Sequence, residues 1–267
     1  MTANILPIER PWPSRLFVEV TSACNLRCAM CVKQSGPGIA DDYLTGATFE
    51  MLIPAFPSLE TLILNGVGEP LLHPGLEEFV RTARYHLSES ASIGFQTNGT
   101  LMNYERACSL LDAGTNVISL SVDAADPALF RAMRAGGEAD DVNRAADSLE
   151  RAKKKVGGRR FRWGAELVLS EETLNELPRV IEWVAGRGGE FLLVTHIMPY
   201  SKDAVSSVAY DPNADETLAL FRRRREEAGE QGLDLSEYYR AKWHIGPVKR
   251  REEIIAFLEN VVAEISK

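Results

Sequence analysis

Three of the chain's four cysteines fall within eight consecutive positions, in the run SACNLRCAMC: Cys24, Cys28 and Cys31, spaced C-x-x-x-C-x-x-C. Closely spaced cysteines in a reducing compartment are metal ligands or catalytic thiols rather than disulfide partners. Structural zinc takes four protein ligands, usually as two separated pairs. The remaining cysteine, Cys108, lies far along the chain in the helical pattern ERACSLLDAG, where a thiol acts as a small buried hydrophobe. Cubane iron–sulfur clusters normally take four thiolates. Three thiolates therefore suit a cubane with one iron left for another ligand, and zinc stays as the alternative metal.

Three further segments carry groups able to bind a ligand. NGVGEP (Asn65–Pro70) offers the Glu69 carboxylate beside Gly66 and Gly68, and glycines there let a backbone approach a ligand closely. QTNGT (Gln96–Thr100) holds Asn98-Gly99, which turn chemistry alone would also explain. SLSVDAAD places Ser121 and Asp123 on one face of a strand; helix capping is the other reading of Asp123.

The elements around these segments alternate. Strand-like runs are Leu16–Val20, Thr61–Gly66, Ser92–Gly99, Asn116–Ala124, Phe161–Ser170 and Glu190–Met198. Amphipathic helical runs lie between the later ones: GLEEFVRTARYHL, NYERACSLLDAG, DVNRAADSLERAKKKVG and LNELPRVIEWVAGRG. Pro54 and Pro57 exclude a long helix in FEMLIPAFPSLE, and residues 32–48 are polar and glycine-bearing, as a loop. Six strands alternating with helices predict an α/β fold with a parallel sheet, a partial (β/α)6 TIM-like barrel or an open doubly wound sheet. Either architecture puts its chemistry at the carboxyl ends of the strands, directly after which the cysteine run begins.

The order and context of these motifs resemble the radical S-adenosylmethionine (SAM) superfamily. The resemblance covers about Leu16 to Ser201 and implies the partial (β/α)6 barrel. It implies a [4Fe-4S] cluster on Cys24, Cys28 and Cys31, with SAM chelating the open iron and being cleaved reductively to a 5′-deoxyadenosyl radical that takes hydrogen from a substrate. NGVGEP resembles the family's glycine-glycine-glutamate-proline motif, with Val67 in place of one small residue, so that Gly68 and Glu69 would meet the methionyl ammonium. Asn98 would stand near the methionyl carboxylate, and Ser121 and Asp123 near the ribose. Met30, Val168, Met198 and Tyr200 would flank adenine, and Arg134 in FRAMRAGG resembles a basic residue often found after the ribose strand. GEPLLHPGLEEFV, QTNGTLM and SVDAADPALFRAM look most like the branch of molybdenum-cofactor synthases and peptide, protein or cofactor maturases. The implied partners are SAM, a ferredoxin or flavodoxin reductant, and a peptide, protein or cofactor precursor as substrate. Alternatives are a non-catalytic iron–sulfur carrier and a nucleoside- or RNA-modifying radical enzyme.

Bulk composition bounds the rest. At 267 residues with a formal charge of -8, the chain lacks the basic field that phosphate backbones select, which disfavours a nucleic-acid partner. MTANILPIERPWPSRLF has no apolar run of signal-peptide or membrane length, so no membrane partner and a cytoplasmic location are expected. The expected organisation is a lead-in over 1–15, the barrel core over 16–201 and a helical C-terminal extension over 202–267. The last helical pattern ends without a glycine or proline terminator, which leaves a continuation past Lys267 open. Arg222–Arg225 beside Glu226 and Glu227 reads as a solvated helix face. Tyr200, Tyr238, Tyr239, Trp243 and His244 are aromatics that either line a pocket or fill a core.

Overall fold

The computed structural model describes residues 12–34, 38–156, 160–198, 200, 207, 215–232 and 234–237. Tyr238, Tyr239, Trp243, His244 and the final helical pattern lie outside the described residues.

Seven strands form one sheet in the order β1-β3-β4-β5-β7-β8-β9. They are β1 (Arg15–Phe17), β3 (Thr61–Ile63), β4 (Ser92–Thr97), β5 (Val117–Ser121), β7 (Arg162–Leu169), β8 (Phe191–His196) and β9 (Asp234–Glu237). β1 pairs in parallel with β3, β3 with β4, β7 with β8, and β8 with β9. The helices are α1 (Gly46–Glu50), α2 (Leu76–His86), α3 (Tyr104–Ala113), α4 (Pro127–Met133), α5 (Ala139–Val156), α6 (Leu177–Gly186) and α7 (Asp215–Glu230). Every one of the six strands expected from sequence is present, each shorter than its apolar run. The C-terminal region expected to be helical supplies α7 and also β9, a seventh strand. A two-residue ribbon, β2 (Arg27–Cys28) against β6 (Arg134–Ala135), was not legible as strand and pairs antiparallel.

The chain divides into two compact units. The first comprises Met1–Asn25, Ile39–Ser119 and Arg144–Trp163; the second comprises Leu26–Gly38, Leu120–Asn143 and Gly164–Lys267.

Local chemistry explains the first unit's elements. α2 buries Leu76, Phe79, Val80 and Ala83 at helical spacing, and burying each of the larger side chains stabilises by about 1.5–3 kcal/mol. Phe79 stacks on Phe49 with ring centroids 4.3 Å apart. Asn103 caps α3 by accepting from the Arg106 N–H, and Gly114 ends it at a φ of 113°, a left-handed turn open to glycine. Cys108 is buried in α3, as its pattern predicts.

In the second unit, β7 buries Ala165, Leu167 and Leu169, alternating with half-buried Glu166 and Val168. α6 buries Leu177, Val180, Ile181 and Val184. α4 starts at Asp126, whose side chain accepts from the Ala128 and Leu129 N–H groups, with Pro127 at the first helical position. Asp126, rather than Asp123, is the cap. α7 carries the arginine run, where Arg223 and Arg225 are exposed and Arg224 pairs with Glu227, the solvated face its charges predict.

Candidate functional site

In the first unit the loop after β3 is held by its own carboxylate, Glu69, and by Glu19 from the segment after β1, which accepts the Val67 N–H. A Cβ at Gly68 would fall on the carbonyl oxygens of Thr21 and Ala23, and one at Gly66 on the Glu19 side chain. The close approach glycine permits here is thus to the chain's own backbone, the segment that runs into Cys24. The Glu69 N–H donates to the Ala23 carbonyl at 2.8 Å. Its side chain is 3 % exposed. Oε1 accepts from the Leu71 N–H at 3.0 Å and the Thr97 hydroxyl at 2.6 Å, and Oε2 accepts from the Asn98 N–H at 2.7 Å. Asn98 in turn donates from Nδ2 to Asn25 Oδ1 at 2.9 Å, while its Oδ1 accepts from the Thr100 N–H and hydroxyl. Gly99 has a φ of 79°, so Asn98-Gly99 is also a tight turn. Gly68, Glu69 and Asn98 therefore form one network that reaches Ala23 and Asn25, the neighbours of Cys24.

In the second unit the ribbon sets Cys28 opposite Arg134. The Ala29 N–H donates to the Met133 carbonyl at 2.9 Å, extending the contact. Arg134 is 7 % exposed. Its Nη1 donates to Cys28 Sγ at 3.8 Å, and its Nε forms an ion pair with Asp123 Oδ2 at 2.8 Å. Burial works against the Arg134 charge, and the facing Asp123 and Cys28 overcome it, so its pKa lies above the ordinary arginine value. Asp123, fully buried, accepts on Oδ1 from the Val168 N–H at 2.9 Å. The Val168 carbonyl accepts from the Thr173 hydroxyl at 2.7 Å. Cys28, Arg134, Asp123 and Val168 thus form a continuous polar line.

Glu166 belongs to the same electrostatic group and was not singled out from the sequence. Burial pushes its carboxyl up, and Asp123 adds to this against the opposing Thr195 hydrogen bond and the Arg134 charge. Thr195 donates to its Oε1 at 3.1 Å. The signal available was a lone carboxylate inside the otherwise apolar strand run FRWGAELVLS.

The other predicted residues are less gathered. Ser121 is buried at the end of β5. Met30 is half-buried between Cys28 and Cys31. Met198 is 55 % exposed and receives the Tyr200 hydroxyl on its sulfur at 3.5 Å. The three clustered cysteines are half-buried thiols outside any disulfide, and the Cys31 N–H donates to the Cys28 carbonyl at 3.1 Å.

The family model for the radical SAM superfamily matches residues 18–184. The chain belongs to the radical SAM superfamily. It is 29 % identical over 208 residues to the tungsten-containing aldehyde ferredoxin oxidoreductase cofactor-modifying protein of Pyrococcus furiosus, covering 76 % of this chain and 56 % of that protein. It is 32 % identical over 184 residues to the GTP 3′,8-cyclase of Caulobacter vibrioides, covering 67 % of this chain and 50 % of that enzyme. The chain thus spans about half the length of these curated relatives. Among solved structures it resembles native anSMEcpe with bound AdoMet, with a TM-score of 0.66 at 18 % identity over 84 % of this chain and 64 % of that one. It also resembles Streptococcus suis SuiB bound to precursor peptide SuiA, with a TM-score of 0.64 at 15 % identity over 85 % and 49 %. These likenesses show the fold, α/β with six parallel strands of a partial TIM-like barrel. The radical SAM chain is an enzyme by membership. Among the described residues no helix is long and apolar enough to cross a membrane.

The superfamily's cofactors, a [4Fe-4S] cluster and SAM, are this chain's cofactors by the same membership. The donor chemistry fits the cluster: thiols outside any disulfide at Cys24, Cys28 and Cys31, with a guanidinium beside one of them to offset thiolate charge. Among the described residues no group of three His, Cys, Asp or Glu side chains is gathered as a ready metal site. The fit therefore lies in donor type and sequence spacing.

Proposed function

We propose that this radical SAM chain holds a [4Fe-4S] cluster on Cys24, Cys28 and Cys31 and acts in the maturation of a peptide, a protein or a tungsten- or molybdenum-type cofactor. Cluster and SAM together would supply one-electron reductive chemistry for hydrogen-atom abstraction from a substrate. The observation that carries this reading is the crowding of three cysteines into eight residues, Cys24 to Cys31, inside the matched span 18–184.

The chain's own residues then divide the work. Cys24, Cys28 and Cys31 would supply the cluster's three thiolate ligands. Glu69 organises the backbone of Leu71 and Asn98 through the hydrogen bonds described, and so presents the loop that meets the methionyl end of SAM. Asn98 and Ser121 supply polar groups for the methionyl carboxylate and ribose, and Met30 and Met198 supply apolar surface for adenine. Asp123 and Val168 serve this reading through Arg134, since their polar atoms are engaged with one another and with the guanidinium. The substrate class is supported by a relative that modifies the cofactor of a tungsten enzyme and by a structural neighbour bound to a precursor peptide. A low-potential reductant of the ferredoxin or flavodoxin type completes the reading.

The test is anaerobic reconstitution with iron and sulfide, reduction with dithionite in the presence of SAM, and mass spectrometry of 5′-deoxyadenosine. Its formation, and its loss in Cys28→Ala, is the expected result. A full cluster with no SAM cleavage would turn the reading toward an iron–sulfur carrier, and absence of bound iron would overturn it.

A further inference from the structure

We infer that Arg134 is a positioning residue that tunes the redox couple of the cluster through Cys28, with Asp123 as the brace that aims it. This rests on the proposed reading that Cys28 is a cluster ligand. The guanidinium approaches the Cys28 sulfur by one arm, Nη1 at 3.8 Å, while Nε faces Asp123 at 2.8 Å. Asp123 cannot swing away freely, because its second oxygen accepts the Val168 N–H at 2.9 Å. The backbone fixes the other end: Cys28 and Arg134 are ladder partners, and the Ala29 N–H to Met133 carbonyl bond extends the ladder beside them. Gly137 turns the chain back by donating its N–H to the Arg134 carbonyl at 2.9 Å. Sulfur and guanidinium are therefore held by backbone pairing on one side and by a buried carboxylate on the other.

The consequence is electrostatic. One-electron reduction places additional negative charge on the cluster and its ligand sulfurs. Cationic N–H donors to those sulfurs stabilise the more negative state, and the effect grows where burial lowers the local dielectric. Arg134 is 7 % exposed, so its field is little screened. Its presence raises the reduction potential, which makes reduction by a low-potential donor easier. Asp123 neutralises part of the charge and fixes its direction. This role differs from ligand contact at the ribose, and it gives the Asp123 and Arg134 motif residues one shared function.

The experiment is a dithionite titration with redox mediators, followed by electron paramagnetic resonance, on the full chain reconstituted with iron and sulfide and without SAM. Wild type is compared with Arg134→Met and with the double variant Asp123→Asn/Arg134→Gln, which leaves no buried unpaired charge. The expected result is a tenfold lower ratio of reduced to oxidised cluster at a fixed potential in both, equal to a fall of about 59 mV for a one-electron couple. Wild-type potential in either variant at wild-type iron and sulfide content overturns the inference. Loss of the cluster from both variants overturns it in favour of a structural anchor. If one variant loses the cluster, the potential of the other decides. Failure of the wild type to assemble a cluster would instead overturn the assignment of Cys28 as ligand, and this inference with it.

Discussion

Glu69 accepts the Asn98 backbone N–H on one carboxylate oxygen at 2.7 Å and the Thr97 hydroxyl on the other at 2.6 Å, tying the loop after β3 to the end of β4. A carboxylate placed this way is a structural brace before it is anything else. Glu69→Ala strands the Leu71 and Asn98 amides and the Thr97 hydroxyl in a buried site. Each stranded group costs about 1–3 kcal/mol, partly recovered by relaxation, so a loss of about 3 kcal/mol is expected in urea unfolding. Glu69→Gln keeps the acceptor oxygen on one side and should lose less. Equal stability of Glu69→Ala and wild type would show that the network is not built as described.

Gly68 gives a second, independent test of the same loop. The Thr21 and Ala23 carbonyls occupy the place of a Cβ, and both are backbone atoms unable to rotate aside. Gly68→Ala should therefore cost about 1–3 kcal/mol by overpacking. It should also shift the Ala23 region, so that iron content after reconstitution falls along with the thermal midpoint. Gly186→Ala serves as control, since open space surrounds its Cβ position.

The cysteines separate by role. Replacing Cys24, Cys28 or Cys31 with Ala should abolish 5′-deoxyadenosine formation while leaving unfolding near wild type, because all three thiols are half-buried. Cys108→Ala should leave 5′-deoxyadenosine formation unchanged and cost about 1 kcal/mol of stability, the loss of a small apolar group from α3. Iron binding that depends on Cys108 would contradict this division.

Much of this was legible in advance because it rests on local rules. The strand runs alternate with amphipathic helical runs, Asn103 and Gly114 bracket α3 as cap and stop, and the three cysteines stand close in sequence. What escaped was set by partners distant in the chain. Arg27-Cys28 and Arg134-Ala135 are strand only because they meet each other, and two residues carry no periodicity. Asp123 lies two residues past the end of β5, in a bend rather than on the strand face, and its partners come from α4's end and from β7. β9 is a four-residue strand in a charge-rich stretch, and its pairing with β8 supplies what its own pattern does not. Glu166 is a β7 residue as its window predicts, but its coupling to Asp123, Arg134 and Thr195 depends on residues distant in the chain.

Glu166 makes the pH dependence of the fold testable. Burial raises its carboxyl above the ordinary 4.5, with Asp123 adding to the shift, so the folded state holds this proton more tightly than the unfolded chain does. Protonation of Glu166 then favours folding and ionisation opposes it. The stabilisation is complete below 4.5 and is lost as pH rises through the folded value. Glu166→Gln fixes the uncharged form and can still accept from Thr195. The variant should therefore melt above wild type at neutral pH, with the difference shrinking as pH falls toward 4.5. A variant that melts below wild type at neutral pH would mean that the ionised carboxylate is stabilised by Arg134 more than burial penalises it.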